Sequence, residues 1–304
     1  MELRHLRYFV AVAEELHFGR AALRLNLAQP PLSQQIRSLE AELGVALFLR
    51  TSRRVELTTE GRLFLEQARA VLLHARKAAE MMQAASRGEA GRISIAFVTS
   101  AVYALVPAVL REFRRTCPAV EMHCVEMKPA RQTEALKQRE IDVGFVRTIS
   151  SDDLFQAETL TREPLILAIP EEHRYAGRKR VLLSAFASDS FILLPRAVGP
   201  GFYDAAISSC EQAGFEPRLA QEVGEWQTVL ALVAAGLGVA LVPESVRNWQ
   251  RPGVVYCDLI GQTAEVELKL LWRRHEITPV IETFIGVARQ VARMRQKRVG
   301  KTLV

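Results

Sequence analysis

Residues 29–37 read Gln-Pro-Pro-Leu-Ser-Gln-Gln-Ile-Arg. Leu32 and Ile36 are spaced to share one face of a helix, which turns Gln29, Ser33, Gln34 and Arg37 outward. No carboxylate follows until Glu40. Amide and guanidinium forks read base edges in the major groove, and a phosphate backbone repels carboxylates. The chemistry on offer is recognition of duplex DNA. Further along, residues 47–57 place two short apolar runs around a Thr-Ser-Arg-Arg tip, the pattern of a β-hairpin wing. Arg53 and Arg54 at that tip would reach phosphates or a narrow minor groove. Rival chemistries find little support. The chain has no P-loop, HExxH or GxSxG, and Gly236-x-Gly238 lacks the third glycine of a dinucleotide fingerprint. His123 and Cys124, with Cys117 nearby, are too sparse for a zinc site. No catalytic residue, metal ligand or cofactor is therefore expected.

The elements that carry this face must be positioned by a core, and composition says there is room for one. The chain has 304 residues, 49% hydrophobic and 24% charged, which suits a soluble chain of about two domains. Net charge is +6, and residues 1–54 hold eight arginines against five glutamates, with no aspartate before Asp142. Four scattered cysteines suggest reduced thiols rather than a disulfide framework. The apolar run near residues 8–13 is too short for a signal peptide. The uncharged stretch 226–243 is too short in its apolar part, and too glycine-interrupted, for a membrane span. A cytoplasmic protein with no membrane partner is expected.

Leu3, Leu6, Phe9, Val10, Ala13 and Leu16 predict a helix over 2–15, and Phe18, Ala21, Ala22 and Leu25 a shorter second one. Residues 27–31 break the pattern. Pro30 and Pro31 fit only the first turn of a third helix, whose buried side is Leu32, Ile36, Leu39 and Leu43 and whose stop is Gly44. Three such helices fit a helix-turn-helix or any small bundle; the acid-free outer face favours the former. Thr58 suits the N-cap of a helix over 59–87. Phe64, Ala68, Val71, Ala75, Ala78, Met82 and Ala85 form a heptad seam on it, which suits a second copy of the chain or packing on the chain's own core. We expect a homodimer. Residues 86–91 read as a hinge. Strand 92–97, helix 105–115, strand 120–125, helix 131–139 and strand 142–146 then give a β-α-β-α-β order and a parallel sheet. Strands near 165–169, 191–194, 239–242 and 269–272, with helices over 227–235 and 279–296, complete the chain.

The run 3–61, including RAALRLNLAQPPLSQQIRSLEAELGVALFLRTSRRVELTTEG, resembles the winged helix-turn-helix of LysR-type transcriptional regulators. Many members carry Ser where this chain has Ala28. The resemblance implies Gln29, Pro30, Ser33, Gln34 and Arg37 in the major groove, with Pro31 beside them, and Arg50 and Arg53 on the backbone or minor groove. Across the rest of the chain it implies a two-lobed α/β effector domain like those of periplasmic binding proteins. The expected organisation is 1–58 for DNA binding, 59–90 for the linker helix and hinge, 91–162 with 268–304 for one lobe, and 163–267 for the other. Ligands of such sheets sit at strand ends. Thr99 and Ser100 follow one such end and Arg147 another, with a helix cap and a structural ion pair as their respective alternatives. The stretches 98–118, 136–147 and 229–243 resemble more closely the subgroup controlling benzoate, catechol and chlorocatechol breakdown. That adds Pro200, Phe202 and Gln227 to the implied effector site. A threonine that often contacts inducer there is Pro129 here, and the neighbouring Lys128 would supply charge instead. The expected function is a ligand-responsive regulator, an activator of a catabolic operon, with a small aromatic acid or dicarboxylate as inducer. Promoter DNA, RNA polymerase and a homodimer or homotetramer are the expected partners. A repressor or a solute-binding protein is the alternative.

Overall fold

The computed structural model describes residues 1–50, 54–149, 152–261 and 264–302, with the side chains of 296–302 left aside. The chain divides into two units, Met1–Gln83 and Ala84–Val304.

In the first unit, α1 (Leu3–Glu15), α2 (Phe18–Arg24) and α3 (Gln29–Leu43) pack around Leu6, Phe9, Val12, Leu32, Ile36 and Leu39, all almost wholly buried. Ala21 and Ala22 are buried too, and their small side chains let α2 approach its neighbours closely. His17 caps α2, its Nδ1 accepting from the Arg20 amide at 3.2 Å. Gly44 ends α3 in the left-handed region, at φ 73°, a conformation that costs glycine nothing. The wing is a two-stranded antiparallel hairpin, β1 (Phe48–Arg50) and β2 (Val55–Leu57). The helix α4 (Thr59–Ser86) follows, its first turn held by the Thr58 hydroxyl, which accepts from the Gly61 amide at 2.8 Å. Phe64 and Ala68 of the heptad seam pack on the unit's own core, whereas Val71 and Met82 are exposed.

The second unit begins with β3 (Ala90–Phe97), α5 (Thr99–Tyr103), α6 (Val106–Thr116), β4 (Ala119–Glu126), α7 (Pro129–Lys137) and β5 (Val143–Val146). β3 pairs in parallel with both β4 and β5, as the β-α-β-α-β order requires. The chain then crosses on β6 (Phe155–Pro170), a strand of 16 residues. β7 (Arg180–Val181), β8 (Ser190–Leu193), α8 (Pro200–Gln212), β9 (Arg218–Glu222), α9 (Trp226–Ala234), β10 (Ala240–Pro243) and β11 (Val254–Leu259) build a second lobe. The chain returns on β12 (Glu265–Arg273), antiparallel to β6 and β5, and ends in α10 (Pro279–Thr302). The resulting sheet is mixed, in the order β4-β3-β5-β12-β6-β11-β7, with β10 also on β6. Each lobe has its own core. One gathers Ile93, Phe113, Phe145, Trp272 and Phe284, the other Leu167, Phe186, Phe191, Leu230 and Val242. No helix among the described residues is long and apolar enough to cross a membrane.

The wing's seat on α4 depends on one close approach. A Cβ added at Gly61 would lie 2.1 Å from the Leu47 carbonyl oxygen and 3.0 Å from a Leu57 methyl. Gly61→Ala must push that backbone away. Overpacking of this kind costs about 1–3 kcal/mol, so the unfolding transition of the first unit in denaturant should move to lower concentration, and an unmoved midpoint would show the contact to be soft.

Candidate functional site

Two regions carry the expected chemistry. On α3, Ala28 is the N-cap and supplies no side-chain hydrogen bond, while Pro30 and Pro31 have no backbone donors that would need one. Gln29, Pro30, Pro31, Gln34 and Arg37 are exposed and Ser33 is half-buried. No acid stands in the first turn. Arg37 makes no ion pair among the described residues. Glu40, the first acid after this face, turns inward. Its Oε1 accepts from the amides of Leu47 at 2.9 Å and Phe48 at 3.2 Å, and its Oε2 pairs with Arg50. The Arg50 guanidinium also lies 5.0 Å above the Phe18 ring. In the free protein Arg50 thus braces the wing against α3, a scaffold role that sequence reading did not assign. Arg54 is exposed and pairs with Glu56 at 2.9 Å. Arg53 lies outside the described residues.

In the second unit, a cavity of about 440 Å³ lies where β3, β4 and β5 end and the second lobe faces them. It brings together Thr99, Ser100, Lys128, Arg147 and Phe202, five of the seven residues expected there. Pro200 and Gln227 are not among its lining. Pro200 is the first residue of α8, where Gly199 and Phe202 take the wall instead. Gln227 follows Trp226 at the start of α9; Trp226 lines the cavity, while Gln227 is exposed outside it. Successive helix residues are rotated by about 100°, which turns Pro200 and Gln227 away from the wall their neighbours form.

Thr99 does not cap α5, whose N-cap is Val98. Its hydroxyl donates to Glu126 and lies 3.4 Å from Glu225 Oε2. Arg147 does form an ion pair. Its Nη2 donates to Glu163 at 2.6 Å and its Nε to the Ser100 hydroxyl at 2.8 Å, with the side chain only 10% exposed. Its Nη1 is buried without a partner among the described residues. Glu163 in turn accepts from the Ser245 amide at 2.6 Å. The loop bearing Lys128 and Pro129 is fixed from below by the buried Gln132, whose Nε2 donates to the Met127 carbonyl at 2.8 Å. Glu126, Thr148 and Glu225 line the cavity without having been expected. The strand-end rule that picked out Arg147 also covers Glu126, the last residue of β4, and Thr148; Glu225 has no such signal. Apolar walls come from Leu194, Val198, Phe202 and Trp226. The arrangement suits a small polar molecule with an apolar body.

Comparison with known proteins agrees across the chain. Residues 3–62 match the family described as bacterial regulatory helix-turn-helix protein, lysR family, and residues 86–293 match the LysR substrate binding domain. The chain is 38% identical over 301 residues to the HTH-type transcriptional regulator AlsR of Bacillus subtilis (strain 168), covering 99% of this chain and 100% of that one. It is 41% identical over 253 residues to a probable cat1 operon transcriptional activator of Acinetobacter lwoffii, covering 82% of each. Among solved structures it is similar to CbnR, a LysR family transcriptional regulator, with 33% identity, a TM-score of 0.88, and coverage of 95% of this chain and 100% of that one. CbnR bound to its target DNA matches with a TM-score of 0.82, 33% identity and coverage of 96% and 100%.

Glu40 offers a direct test of how α3 and the wing are joined. Glu40→Ala strands two amide donors and leaves Arg50 uncompensated. Unmet partners of this kind cost about 1–3 kcal/mol each, so the variant should unfold at markedly lower temperature. Glu40→Gln, which keeps an acceptor, should fall between the two; equal melting of all three proteins would contradict the assigned role.

Proposed function

The chain belongs to the LysR family of transcriptional regulators, which bind DNA and effectors, and on that premise we propose that it activates a catabolic operon in response to a small carboxylate. The observation that carries the reading is the exposed face of α3, where Gln29, Gln34 and Arg37 stand clear of any acid. A recognition helix enters the major groove by its N-terminal part, which here presents the Gln29-Pro30-Pro31 turn with Ser33 close behind. Arg53 and Arg54 reach the backbone from the wing, and Arg50 holds the wing in place. The unpartnered part of the α4 seam, with Val71 and Met82 exposed, pairs two chains. Two such dimers form a tetramer on a partly palindromic promoter site.

The effector enters the cleft at Thr99, Ser100, Lys128, Arg147 and Phe202. Arg147 and Lys128 face its carboxylate, and the apolar walls take its body. Of the classes implied by resemblance, an aromatic acid and a dicarboxylate both carry that group. Binding favours one of two lobe arrangements and shifts their populations, changing DNA bending and contact with RNA polymerase. Activation is the sense reported in the name of the Acinetobacter lwoffii relative, and the work is done in the cytoplasm.

Gel-shift titration on the promoter upstream of the gene tests the DNA half. A lost base contact costs about 1–3 kcal/mol, so Gln29→Ala and Arg37→Ala should each weaken specific binding tenfold or more with the fold intact. Binding should also fall steeply with salt, because basic groups displace counterions. Wild-type occupancy by both variants would refute the reading.

A further inference from the structure

Glu126 ends β4 in one lobe and Glu225 stands just before α9 in the other. Both carboxylates meet at one atom, the Thr99 hydroxyl. A hydroxyl has one proton and satisfies one of them. Neither carboxylate has a cationic partner among the described residues. Their field is felt nearby: the Tyr103 hydroxyl is pushed above its usual pKa, first by burial, with Glu126 and Glu225 adding to it. The same cavity holds Arg147, nine-tenths buried, with one guanidinium nitrogen unpartnered among the described residues. Glu163 already matches the charge of Arg147. The lining itself holds two acids and two bases, but with Glu163 taking the charge of Arg147 from behind the wall, Lys128 alone is set against the two acids. A dicarboxylate would add two more negative charges beside this acid pair, which is unfavourable. A ligand with an ammonium group would meet the acid pair instead.

Resting on the effector-cleft reading, we propose that the ligand of this cleft is an amino carboxylate with an apolar side chain. Its ammonium sits between Glu126 and Glu225, and its carboxylate faces Arg147, Ser100 and Lys128. Leu194, Val198, Phe202 and Trp226 take the side chain.

Calorimetric titration of the full-length protein tests this with matched sets. The probes are the apolar amino acids, their deaminated acids (3-phenylpropionate for phenylalanine, 4-methylpentanoate for leucine), the corresponding amines, and the dicarboxylates glutarate and adipate. At least one amino acid should bind tenfold or more tightly than its deaminated acid, its amine and both dicarboxylates. Glu126→Gln and Glu225→Gln, at exposed positions, should each weaken that amino acid about tenfold while leaving the deaminated acid unchanged or tighter. If no amino acid outbinds its deaminated acid, or if the two Gln variants bind it as wild type does, the proposal is overturned. The effector-cleft reading fails separately. It stands if Lys128→Ala or Arg147→Gln weakens whichever carboxylate binds, and falls if neither variant changes any binding.

Discussion

A buried carboxylate organises the second unit. Glu163 is 8% exposed and sits on the crossing strand β6. An isolated charge so placed would cost several kcal/mol. Its two oxygens instead accept from Arg147, the Ser245 amide at 2.6 Å and the Ser245 hydroxyl at 3.1 Å. Arg147 passes the constraint on to Ser100. The end of β5, the helix α5 and the short helix Glu244–Asn248 are thereby tied to one point on β6. Removing either charge would leave the other buried and uncompensated, at a cost of about 3–5 kcal/mol. Thr99 and Ser100 are placed by this network, so the cleft inherits its geometry from an ion pair lying behind it.

The network lies beside the boundary between two separately packed cores. Each lobe has a packed core of its own, and the covalent links between them are the strands β6 and β12. A ligand shifts the balance between two lobe arrangements only by the difference in its affinity for them. Residues contributed by a single lobe cannot supply that difference; residues from both can. Thr99, Glu126 and Arg147 come from one side of the cavity, and Phe202, Glu225 and Trp226 from the other. An effector touching both sets feels closure directly.

Legibility in the sequence followed periodicity. The helices of the first unit follow a 3.6-residue apolar repeat, and the third is marked at its start by the Pro30-Pro31 pair and at its end by Gly44, so their boundaries agree with the structure to within a few residues. The β-α-β-α-β segment was legible for the same reason. β6 was expected only from about residue 165, although it begins at Phe155. Its first half carries Gln156, Glu158, Thr159, Thr161 and Arg162, and such polar alternation looks like loop when one face packs and the other is wet. β9 is exposed throughout, and α8 is rich in Gly, Ala and Ser, so neither gave a hydrophobic stripe. In the cleft, a strand end followed by a hydroxyl or arginine was readable. Glu126 and Glu225 were not singled out, because an exposed glutamate usually marks solvated surface, and only the fold brings these two to one hydroxyl.

Charge in the first 54 residues shows why a net count understates the DNA face. All five glutamates counted there are engaged. Glu2 pairs with Arg4, Glu14 with Arg24 and Arg69, Glu15 with Arg20 and Arg24, Glu40 with Arg50, and Glu42 with the N-terminus. Glu14 is held below its usual pKa chiefly by its hydrogen bond to Arg69. Pairs at exposed positions add little stability, typically about 0–1 kcal/mol. Their effect is on where positive charge remains. Arg4, Arg20, Arg24 and Arg69 are paired with near neighbours, while Arg37 on α3, like Arg7 on α1, makes no ion pair among the described residues. Phosphates compete poorly for a guanidinium already paired with carboxylate, and well for one that is free. The distribution of acids, as much as that of bases, therefore decides where unpaired positive charge remains, and α3 keeps its share.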